Sequence, residues 1–575
     1  MPHLYAKNCF CIVVCFAFAS TVVNAQDRLV REFGSGTGDN AVGIVDAGVD
    51  TEIGGPQALS VDDDGNVFLL DQVNNRILRF DPKNPAADAT ELKLPDNIEP
   101  TDLVVRKQSI MVWDGVIRRM QVADPNQSTR GLEEISTRSA DDPFSTSAFA
   151  QMGSQPPGSE ADVMVSNTRG AVISQKREPA RQYVASRGAG NVIADILPED
   201  GDAAAKVEVT REGEGTPFAT LRLRVRERLG AVEFLEIDHT GRMFIFAENI
   251  PKEADRAAAF VARYSSTGTL EGIYELPLAD VPLSRRFVTV SGDGDVYFLR
   301  TQQGSVSVLG VGFRRADPRE AIDARPVAPV STKADTGNEP IVAMRPLTRQ
   351  QTIETAFAFE GIQWKVTPAA YGRDPDTACS GFNGRIRRPT YLHGKLGQEV
   401  RGVPYCWGCH GSLDQIRAKI ERGTLAGNIC THNAPRSDAT GVDCSAFVSA
   451  AWGLSTHYTT AAIPAIAFRL RDPWDLRPGD ALNKSGSHVM LFLRFTPDRK
   501  AEVMEASPGA CNGRVCRNVY PLASLLARGY QPVRFRALQQ DTNYVASMDT
   551  QHKDEAKEEK REDRKPAKHR RRHKH

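Results

Sequence analysis

The chain has 575 residues, 41% of them hydrophobic and 25% charged, a composition that excludes wholesale disorder and a multi-span membrane protein. A domain usually has about 100 to 200 residues, so this length predicts more than one folded unit. The 72 Lys and Arg residues balance 72 Asp and Glu residues, which removes any whole-chain attraction to nucleic acid or to a membrane surface.

Residues 1–25 have the pattern of a signal peptide. Lys7 precedes an apolar run at 9–19, and Val23 and Ala25 are small residues at the two positions that a signal peptidase reads. A membrane anchor needs about 20 continuous apolar residues, and this run is shorter. We therefore expect cleavage after Ala25 and an exported protein, periplasmic or extracellular.

An apolar strand, an Asp/Gly turn and a second apolar strand recur between about residues 40 and 320. The first two copies begin 44 residues apart, and the turn glycines Gly241 and Gly294 are 53 residues apart. Such spacing is typical of four-stranded blades, because a single blade cannot bury both faces and must stack on its neighbours. The clearest copies are 59–71, 103–114, 163–175, 234–247 and 288–300.

The first copy, GPQALSVDDDGNVFLLDQVNNRILRFD at 55–81, resembles an NHL-repeat blade. The resemblance implies an all-β propeller over residues 26–324, with about six blades and with five or seven as alternatives. Within it, Asp62 to Asn66 lack the spaced ligands of a calcium loop, so we expect an Asx turn there. Residues 325–348 are rich in Pro, Thr and Ala and are predicted to be a linker.

A second domain is predicted over residues 349–540. It opens with a helix in which Ile353, Ala356 and Phe357 follow helical spacing. Residues 541–575 carry many charges and few apolar side chains, which predicts a disordered tail. Its last ten residues hold five basic side chains and no acidic one, so either a solvated tail or contact with an anionic surface is expected.

The segment GVDCSAFVSAAWGL at 441–454 predicts a short helix that begins at a cysteine. Asp443 can cap it, Phe447 and Val448 share a face with Cys444, and Gly453 is a plausible end. The first turn of a helix favours thiolate over thiol through its unpaired N–H groups and dipole. Cys444 is therefore a candidate nucleophile.

A candidate base and its orienting partner lie on two predicted strands, at 488–495 and 501–507. If the hairpin pairs Arg494 with Arg499, His488 lies directly opposite Glu505 on the same face. Cross-strand partners have Cβ atoms about 4.5 to 5.5 Å apart, which is close enough for a carboxylate to orient an imidazole.

Five ordered segments resemble the motifs of the NlpC-type cell-wall endopeptidases: PYCWGC at 404–409, GVDCSAF at 441–447, RPGDAL at 477–482, SHVMLFL at 487–493 and MEAS at 504–507. The resemblance implies a papain-like α+β cysteine hydrolase domain. It implies cleavage of peptide bonds in peptidoglycan stems, commonly between D-glutamate and a diamino acid, and a cell-wall location. No cofactor is expected.

Carried over by the resemblance, Cys444 is the nucleophile, His488 the general base and then acid, and Glu505 the orienting residue. Tyr405 matches the motif tyrosine near the oxyanion region. The third polar residue of this family is usually His, Asn or Gln, so Glu505 departs from the pattern. The family's paired glycines after tryptophan are Gly408 and Cys409 here.

Seven cysteines follow the leader, and an exported protein tends to pair its cysteines. With Cys444 assigned as the nucleophile, six remain for three disulfides. We expect a local bond between Cys511 and Cys516 and a bond from Cys430 to Cys406 or Cys409. The six candidates are Cys379, Cys406, Cys409, Cys430, Cys511 and Cys516.

Other interpretations stay open. Cys406, Cys409 and His410 satisfy the C-x-x-C-H pattern of covalent haem attachment, and the same cysteines with His410 or His432 are a weaker zinc candidate; otherwise His410, His432 and His457 are predicted to be polar loop residues. An amidase or acyltransferase would use the same catalytic residues. A lactone-hydrolysing propeller, or a propeller scaffold with a degenerate hydrolase, is the alternative of a different class. The expected partners are peptidoglycan peptide and a protein or glycan ligand of the propeller, with no nucleic acid.

Overall fold

In a computed structural model, the described residues run from 26 to 539, except 46–49, 52, 96–97, 107–108, 115–116, 122–131, 135–179, 200–201, 253–256, 279–283, 303, 325–344, 373–386 and 431–436. The predicted leader, the repeat copy at 163–175, most of the predicted linker, Cys379, His432 and the charged tail lie outside them. Within these ranges, no helix is both long enough and apolar enough to cross a membrane.

Among the described residues of the range 28–315, the regular elements are β-strands, and no α-helix occurs. The strands are β1 (Arg28–Ser35), β2 (Ala41–Val42), β3 (Ala58–Val61), β4 (Val67–Asp71), β5 (Arg76–Phe80), β6 (Thr90–Lys93), β7 (Asp102–Arg106), β8 (Ser109–Trp113), β9 (Ile117–Gln121), β10 (Leu132–Glu134), β11 (Ala180–Ser186), β12 (Gly190–Pro198), β13 (Ala204–Arg211), β14 (Ala219–Arg224), β15 (Leu229–Ile237), β16 (Met243–Asn249), β17 (Ala258–Tyr264), β18 (Leu270–Glu275), β19 (Val288–Val290), β20 (Val296–Gln302), β21 (Ser305–Gly310) and β22 (Phe313–Arg315).

These strands build a β-propeller, as the repeats predict. Its blades are the sheets β3-β4-β5-β6, β7 to β10, β11 to β14, β15 to β18 with β22, and β19-β20-β21-β1-β2. The last sheet combines the two ends of the domain, because β1 pairs antiparallel with β21. This pairing closes the ring and covers what would otherwise be exposed strand edges.

The hairpin turns explain the repeated Asp/Gly pattern. Oδ1 of Asp62 accepts hydrogen bonds from the N–H groups of Asp64 at 3.1 Å and Asn66 at 2.7 Å, which confirms the Asx turn. A glycine in each such turn has φ between +81° and +87°, a conformation that residues with a Cβ rarely adopt; these are Gly65, Gly241 and Gly294.

The described residues contain five blades, where about six were expected. Residues 135–179, between β10 and β11, lie outside the described ranges, so the number of blades in the whole domain stays a prediction. The predicted copies at 59–71, 103–114, 234–247 and 288–300 each form a strand pair. The blade β11 to β14 matches none of the predicted copies.

The second part of the chain mixes short helices with strands. Its elements are β23 (Leu347–Thr348), α1 (Arg349–Gly361), β24 (Gln363–Lys365), α2 (Pro368–Tyr371), β25 (Glu399–Arg401), α3 (Leu413–Glu421), β26 (Leu425–Ala426), β27 (Ala439–Thr440), α4 (Cys444–Ala451), α5 (Ile463–Ile466), β28 (Ala467–Arg469), β29 (Ala481–Lys484), β30 (His488–Phe495), β31 (Ala501–Ser507), β32 (Arg514–Tyr520), α6 (Leu522–Ala527), β33 (Gln531–Phe535) and β34 (Leu538–Gln539), with 3₁₀ turns at Thr390–Leu392 and Pro473–Asp475.

A six-stranded antiparallel sheet, in the order β28-β33-β29-β30-β31-β32, is the centre of this part. Helix α4 buries Phe447 and Val448 in the core that it shares with the sheet. The ring of Trp452, just after α4, stacks on Phe535 of β33 at 5.0 Å. The apolar face of α4 therefore fixes the helix against the strands that carry the other candidate residues.

The propeller and the second part share one hydrophobic core. Phe244 and Phe246 of β16 belong to the same buried cluster as Leu522 and Leu526 of α6. Burying a side chain of this size contributes about 1.5 to 3 kcal/mol, so the contact holds the two parts together as one packed unit.

Ionic contacts supplement this interface. Lys500 Nζ lies 3.1 Å from Glu233 Oε2 of the propeller, and both side chains are buried. Arg228 Nη2 lies 2.6 Å from Asp472 Oδ1, nearer to solvent. The buried pair joins β15 to the turn that connects β30 and β31.

Candidate active site

Cys444 is the first residue of α4, as the sequence predicts. The side chain of Asp443 caps the helix by accepting a hydrogen bond from the Ala446 N–H at 2.8 Å. Gly453, with φ of +67°, follows the helix end. The cap and the terminal glycine are local signals, which is why the position of this helix can be predicted from the sequence.

His488 and Glu505 meet, but not through the predicted register. Leu491 pairs with Met504, with an irregularity between Phe492 and Arg494, so the position opposite His488 is Ser507. Ser507 is two residues from Glu505. Because this shift is even, Glu505 stays on the same face of the sheet as His488 and is its diagonal neighbour. Its Oε2 lies 2.7 Å from His488 Nε2.

The carboxylate of Glu505 is fully buried, and both of its oxygens are hydrogen-bonded. Its Oε1 accepts hydrogen bonds from Asn518 Nδ2 at 2.7 Å and Tyr520 Oη at 2.8 Å. Burial alone raises the pKa of this carboxyl, but the bonds from His488, Asn518 and Tyr520 outweigh it and leave the pKa of Glu505 below its usual value. Glu505 is therefore an ionised acceptor that fixes the imidazole.

The thiol of Cys444 lies beside the start of β30. The N–H groups of Val489 and Ser445 hydrogen-bond to its sulfur, which favours the thiolate. Burial, together with the carboxylates of Asp443 and Asp50, outweighs these bonds and raises the pKa of Cys444 well above its ordinary value. The prediction of a thiolate at the helix start is wrong for this conformation. It included neither the negative charge of the capping residue Asp443 nor the carboxylate of Asp50, which comes from the propeller.

Tyr405 is buried near the same thiol. Its hydroxyl has no hydrogen-bond partner among the described residues. Burial, then the neighbouring carboxylates of Asp443 and Asp50, raise its pKa well above the usual value. A buried tyrosine hydroxyl without a partner is unfavourable, so this donor is available to a bound ligand.

The segment after Tyr405 is tied to the helix start. The Gly408 N–H donates to Asp443 Oδ2 at 3.0 Å, and Cys406 is disulfide-bonded to Cys409. The disulfide consumes both thiols that covalent haem attachment would need, which contradicts the haem interpretation. No group of three His, Cys, Asp or Glu residues suited to a metal ion occurs among the described residues.

The remaining cysteines follow the expected pattern in part. Cys511 is bonded to Cys516, as predicted. Cys430 is disulfide-bonded too, but not to Cys406 or Cys409, because those two pair with each other. Cys444 is the cysteine outside a disulfide in the described part of the chain.

His457 is a neighbour of the site that sequence reasoning assigned to a loop. Its Nε2 lies 2.8 Å from Ser445 Oγ and 3.5 Å from Asp443 Oδ1, and its ring stacks on His410 at 5.6 Å. Burial lowers its pKa, but the carboxylates of Asp443 and Asp50 outweigh burial and raise it. No sequence pattern links His457 to Cys444, since a loop brings it back to the helix start.

The partners of Glu505 were also missed. Cys516 of β32 pairs directly with Glu505. Asn518 and Tyr520 follow it two and four residues later, so they lie on the same face of the strand. This period of two could have predicted them as neighbours of Glu505. Arg285 of the propeller was not predictable in this way. Its Nη2 donates to Asn518 Oδ1 and to the Ala510 carbonyl, the latter at 3.1 Å. The propeller thus supports the carboxylate that holds His488.

Glu505→Gln is expected to lower kcat/KM by about 10³-fold in any hydrolysis that uses His488. Asn518 and Tyr520 both donate to one carboxylate oxygen, so the amide oxygen of glutamine stays there and its NH₂ group faces His488. The imidazole of His488 then carries its proton on Nδ1, so Nδ1 cannot accept the proton of the Cys444 thiol. Tyr520→Phe, which leaves Glu505 on His488, should cost tenfold or less. Equal losses in steady-state kinetics would contradict the orienting role.

The low pKa of Glu505 predicts a pH-dependent contribution to stability. Because the pKa of Glu505 in the folded protein lies below the ordinary glutamate value of 4.5, the contribution is complete above about pH 4.5 and is lost as pH falls through the folded pKa. In urea unfolding, the free-energy difference between the wild type and Glu505→Gln should be largest near pH 7 and shrink below pH 4.5. A difference independent of pH between 3 and 7 would show that the carboxylate charge is not what stabilises.

No protein-family model and no curated protein sequence matches the chain. Solved structures with some likeness include a streptogramin B lyase, with 10% identity over 50% of this chain and 99% of that chain and a TM-score of 0.21. Another is the PQQ-bound aldose sugar dehydrogenase of Streptomyces coelicolor, with 12% identity over 50% and 98% of the two chains and a TM-score of 0.23. A third is the WD40 propeller domain of Doa1, with 13% identity over 49% and 97% and a TM-score of 0.20. Scores of this size add nothing to the strand order described above.

Proposed function

We propose that the protein is an exported cysteine hydrolase of the NlpC type, with a papain-like second domain that cleaves peptide bonds in peptidoglycan stem peptides. The observation that carries the proposal is the contact of His488 Nε2 with the buried Glu505 at 2.7 Å, beside a helix that begins at Cys444. The ordered motifs supply the substrate class. The propeller is proposed as a binding module for a protein or glycan partner.

In the proposed reaction, Glu505 holds the Nε2 proton of His488, so Nδ1 accepts the proton of the Cys444 thiol. The thiolate attacks the scissile carbonyl carbon, and the carbonyl oxygen becomes an oxyanion. The hydroxyl of Tyr405 and the N–H groups at the start of α4 are proposed to bind that oxyanion.

Two proton transfers complete the proposed cycle. The imidazolium of His488 gives its proton to the leaving amine, which breaks the C–N bond and leaves an acyl-thioester on Cys444. Water, deprotonated by His488, then attacks the thioester, which releases a carboxylic acid and restores the thiol. An amine in place of water would give acyl transfer with the same residues.

Burial of Cys444 favours one other candidate, a propeller scaffold with an inactive hydrolase domain. The thiol has no solvent exposure, and a nucleophile must meet its substrate.

The test is to incubate purified protein with peptidoglycan and to identify the released fragments by mass. Soluble muropeptides with a newly formed carboxylic acid and amine would support the peptidase and name the bond. Products joined to an added amine would support acyl transfer. If neither the wild type nor a variant with a solvent-accessible Cys444 releases fragments from peptidoglycan, the result would favour the scaffold.

A further inference from the structure

A propeller segment covers the candidate nucleophile. The thiol of Cys444 donates to the main-chain carbonyl oxygen of Asp50 at 3.8 Å, across 394 positions of sequence. On either side, the Asp50 N–H donates to the Gly486 carbonyl at 3.2 Å, and Ser487 Oγ donates to the Thr51 carbonyl at 3.3 Å. The segment therefore contacts the helix that begins at Cys444 and the turn that leads into His488.

The side chain of Asp50 is bound by Thr460. One carboxylate oxygen accepts hydrogen bonds from the N–H of Thr460, at 3.2 Å, and from its hydroxyl. Asn483 Nδ2 donates to the Thr460 carbonyl at 3.1 Å and so holds this residue in place. Both Asp50 and Thr460 are buried, so the carboxylate has exchanged water for two protein donors.

The backbone of Asp50 is in a conformation that needs external support. Its φ of +56° lies in the left-handed region, which is uncommon for residues other than glycine, although asparagine and aspartate adopt it more readily than most. Such a conformation persists only where surrounding contacts hold it. Here those contacts come from Thr460, Gly486 and Cys444.

We infer that Asp50 and Thr51 are an internal ligand of the catalytic groove, presenting a carbonyl to Cys444 and a carboxylate to Thr460. The peptide that displaces them carries a carbonyl for the thiol and a carboxylate for the donor pair of Thr460. As a statement about a substrate, this inference rests on the proposed function. As a statement about closure of the groove, it rests on the contacts alone.

Closure also explains why the thiol is held in its unreactive form. Burial and the charges of Asp443 and Asp50 raise the pKa of Cys444. Withdrawal of the segment returns water to the sulfur and removes one of the two carboxylates. Opening thus exposes the nucleophile and favours its ionisation at the same time.

The experiment is alkylation of the native full-length protein with iodoacetamide, followed by mass spectrometry of the peptide that contains Cys444. Asp50→Ala removes the carboxylate and makes the left-handed backbone less favourable, so modification should be about 10- to 100-fold faster than in the wild type. Asp50→Asn is the matched control, because it keeps an acceptor oxygen and tolerates that backbone. It should react within about threefold of the wild type. Thr460→Val, which loses only the hydroxyl donor, should be several-fold faster.

Equal rates for the wild type and Asp50→Ala, with unchanged melting temperatures, would overturn the inference, because the thiol would then be buried by its own domain. The peptidoglycan assay on the same variants separates the two proposals. Faster alkylation without fragments would uphold the internal ligand and reject the hydrolase. Equal alkylation with fragments that depend on Cys444 would do the reverse.

Discussion

Replacing Cys444 with alanine is expected to reduce muropeptide release by at least about 10³-fold, to the level of a blank reaction. Without the sulfur, no acyl-enzyme can form, and neither His488 nor Glu505 can replace it. The substitution removes one buried atom, which costs about 1 kcal/mol and should move the melting temperature by only a few degrees. The measurement is quantitative mass spectrometry of soluble fragments, beside a thermal melt.

The comparison should include Ser445→Ala. Ser445 is adjacent to Cys444 and donates to Asp443 Oδ1 at 3.0 Å, so its loss perturbs the helix start while the thiol remains. Retained activity in Ser445→Ala with none in Cys444→Ala would assign the chemistry to the sulfur. Release that persists in Cys444→Ala would reject the mechanism.

Replacing Lys500 with methionine is expected to lower the free energy of unfolding by about 3 to 5 kcal/mol. Lys500 lies 3.1 Å from both Glu233 and Asp498, and only Asp498 of the two is partly exposed. Burial alone lowers the pKa of Lys500, but these two carboxylates outweigh it and raise it. Methionine would leave the carboxyl of Glu233, whose pKa burial already raises, without its cation in the interface between the propeller and the second part of the chain.

Urea unfolding of three variants measures this effect. Lys206→Met is the exposed control, because the Lys206–Glu208 pair has 33% and 30% of its side chains exposed and such pairs contribute about 1 kcal/mol or less. The double variant Lys500→Met with Glu233→Gln removes both charges and should recover a large part of the loss. If Lys500→Met costs no more than Lys206→Met, the buried pair does not hold the interface.

The fold of the propeller was predictable because its signals are local. An aspartate followed by a turn glycine sets each hairpin, as at Asp62 and Gly65, and neighbouring apolar residues set the strands. Which strand closes the ring depends on β1 meeting β21, and these strands are far apart in the chain.

The candidate site was predictable residue by residue where a short pattern marks it. Asp443 and Gly453 delimit the helix of Cys444. Glu505 stays on the face of His488 because the irregularity in β30 brings the change of register back to an even number of residues. The register itself was wrong, because Arg494 pairs with Glu502 and not with Arg499, and the irregularity between Phe492 and Arg494 then shifts the pairing by one position. The bond from Cys430 was also wrong, because spacing alone does not determine which cysteines meet.

The sequence by itself determined the elements and their order: the repeated hairpins, the capped helix that begins at Cys444, and the strands that carry His488 and Glu505. Each depends on residues within one or two turns of the chain, where backbone geometry and side-chain capping act. Tertiary structure alone decided that Asp50 covers the thiol, that Arg285 supports Asn518, and that the pKa of Cys444 is raised. Burial and pKa are sums over all groups near a site, and here those groups come from positions hundreds of residues apart.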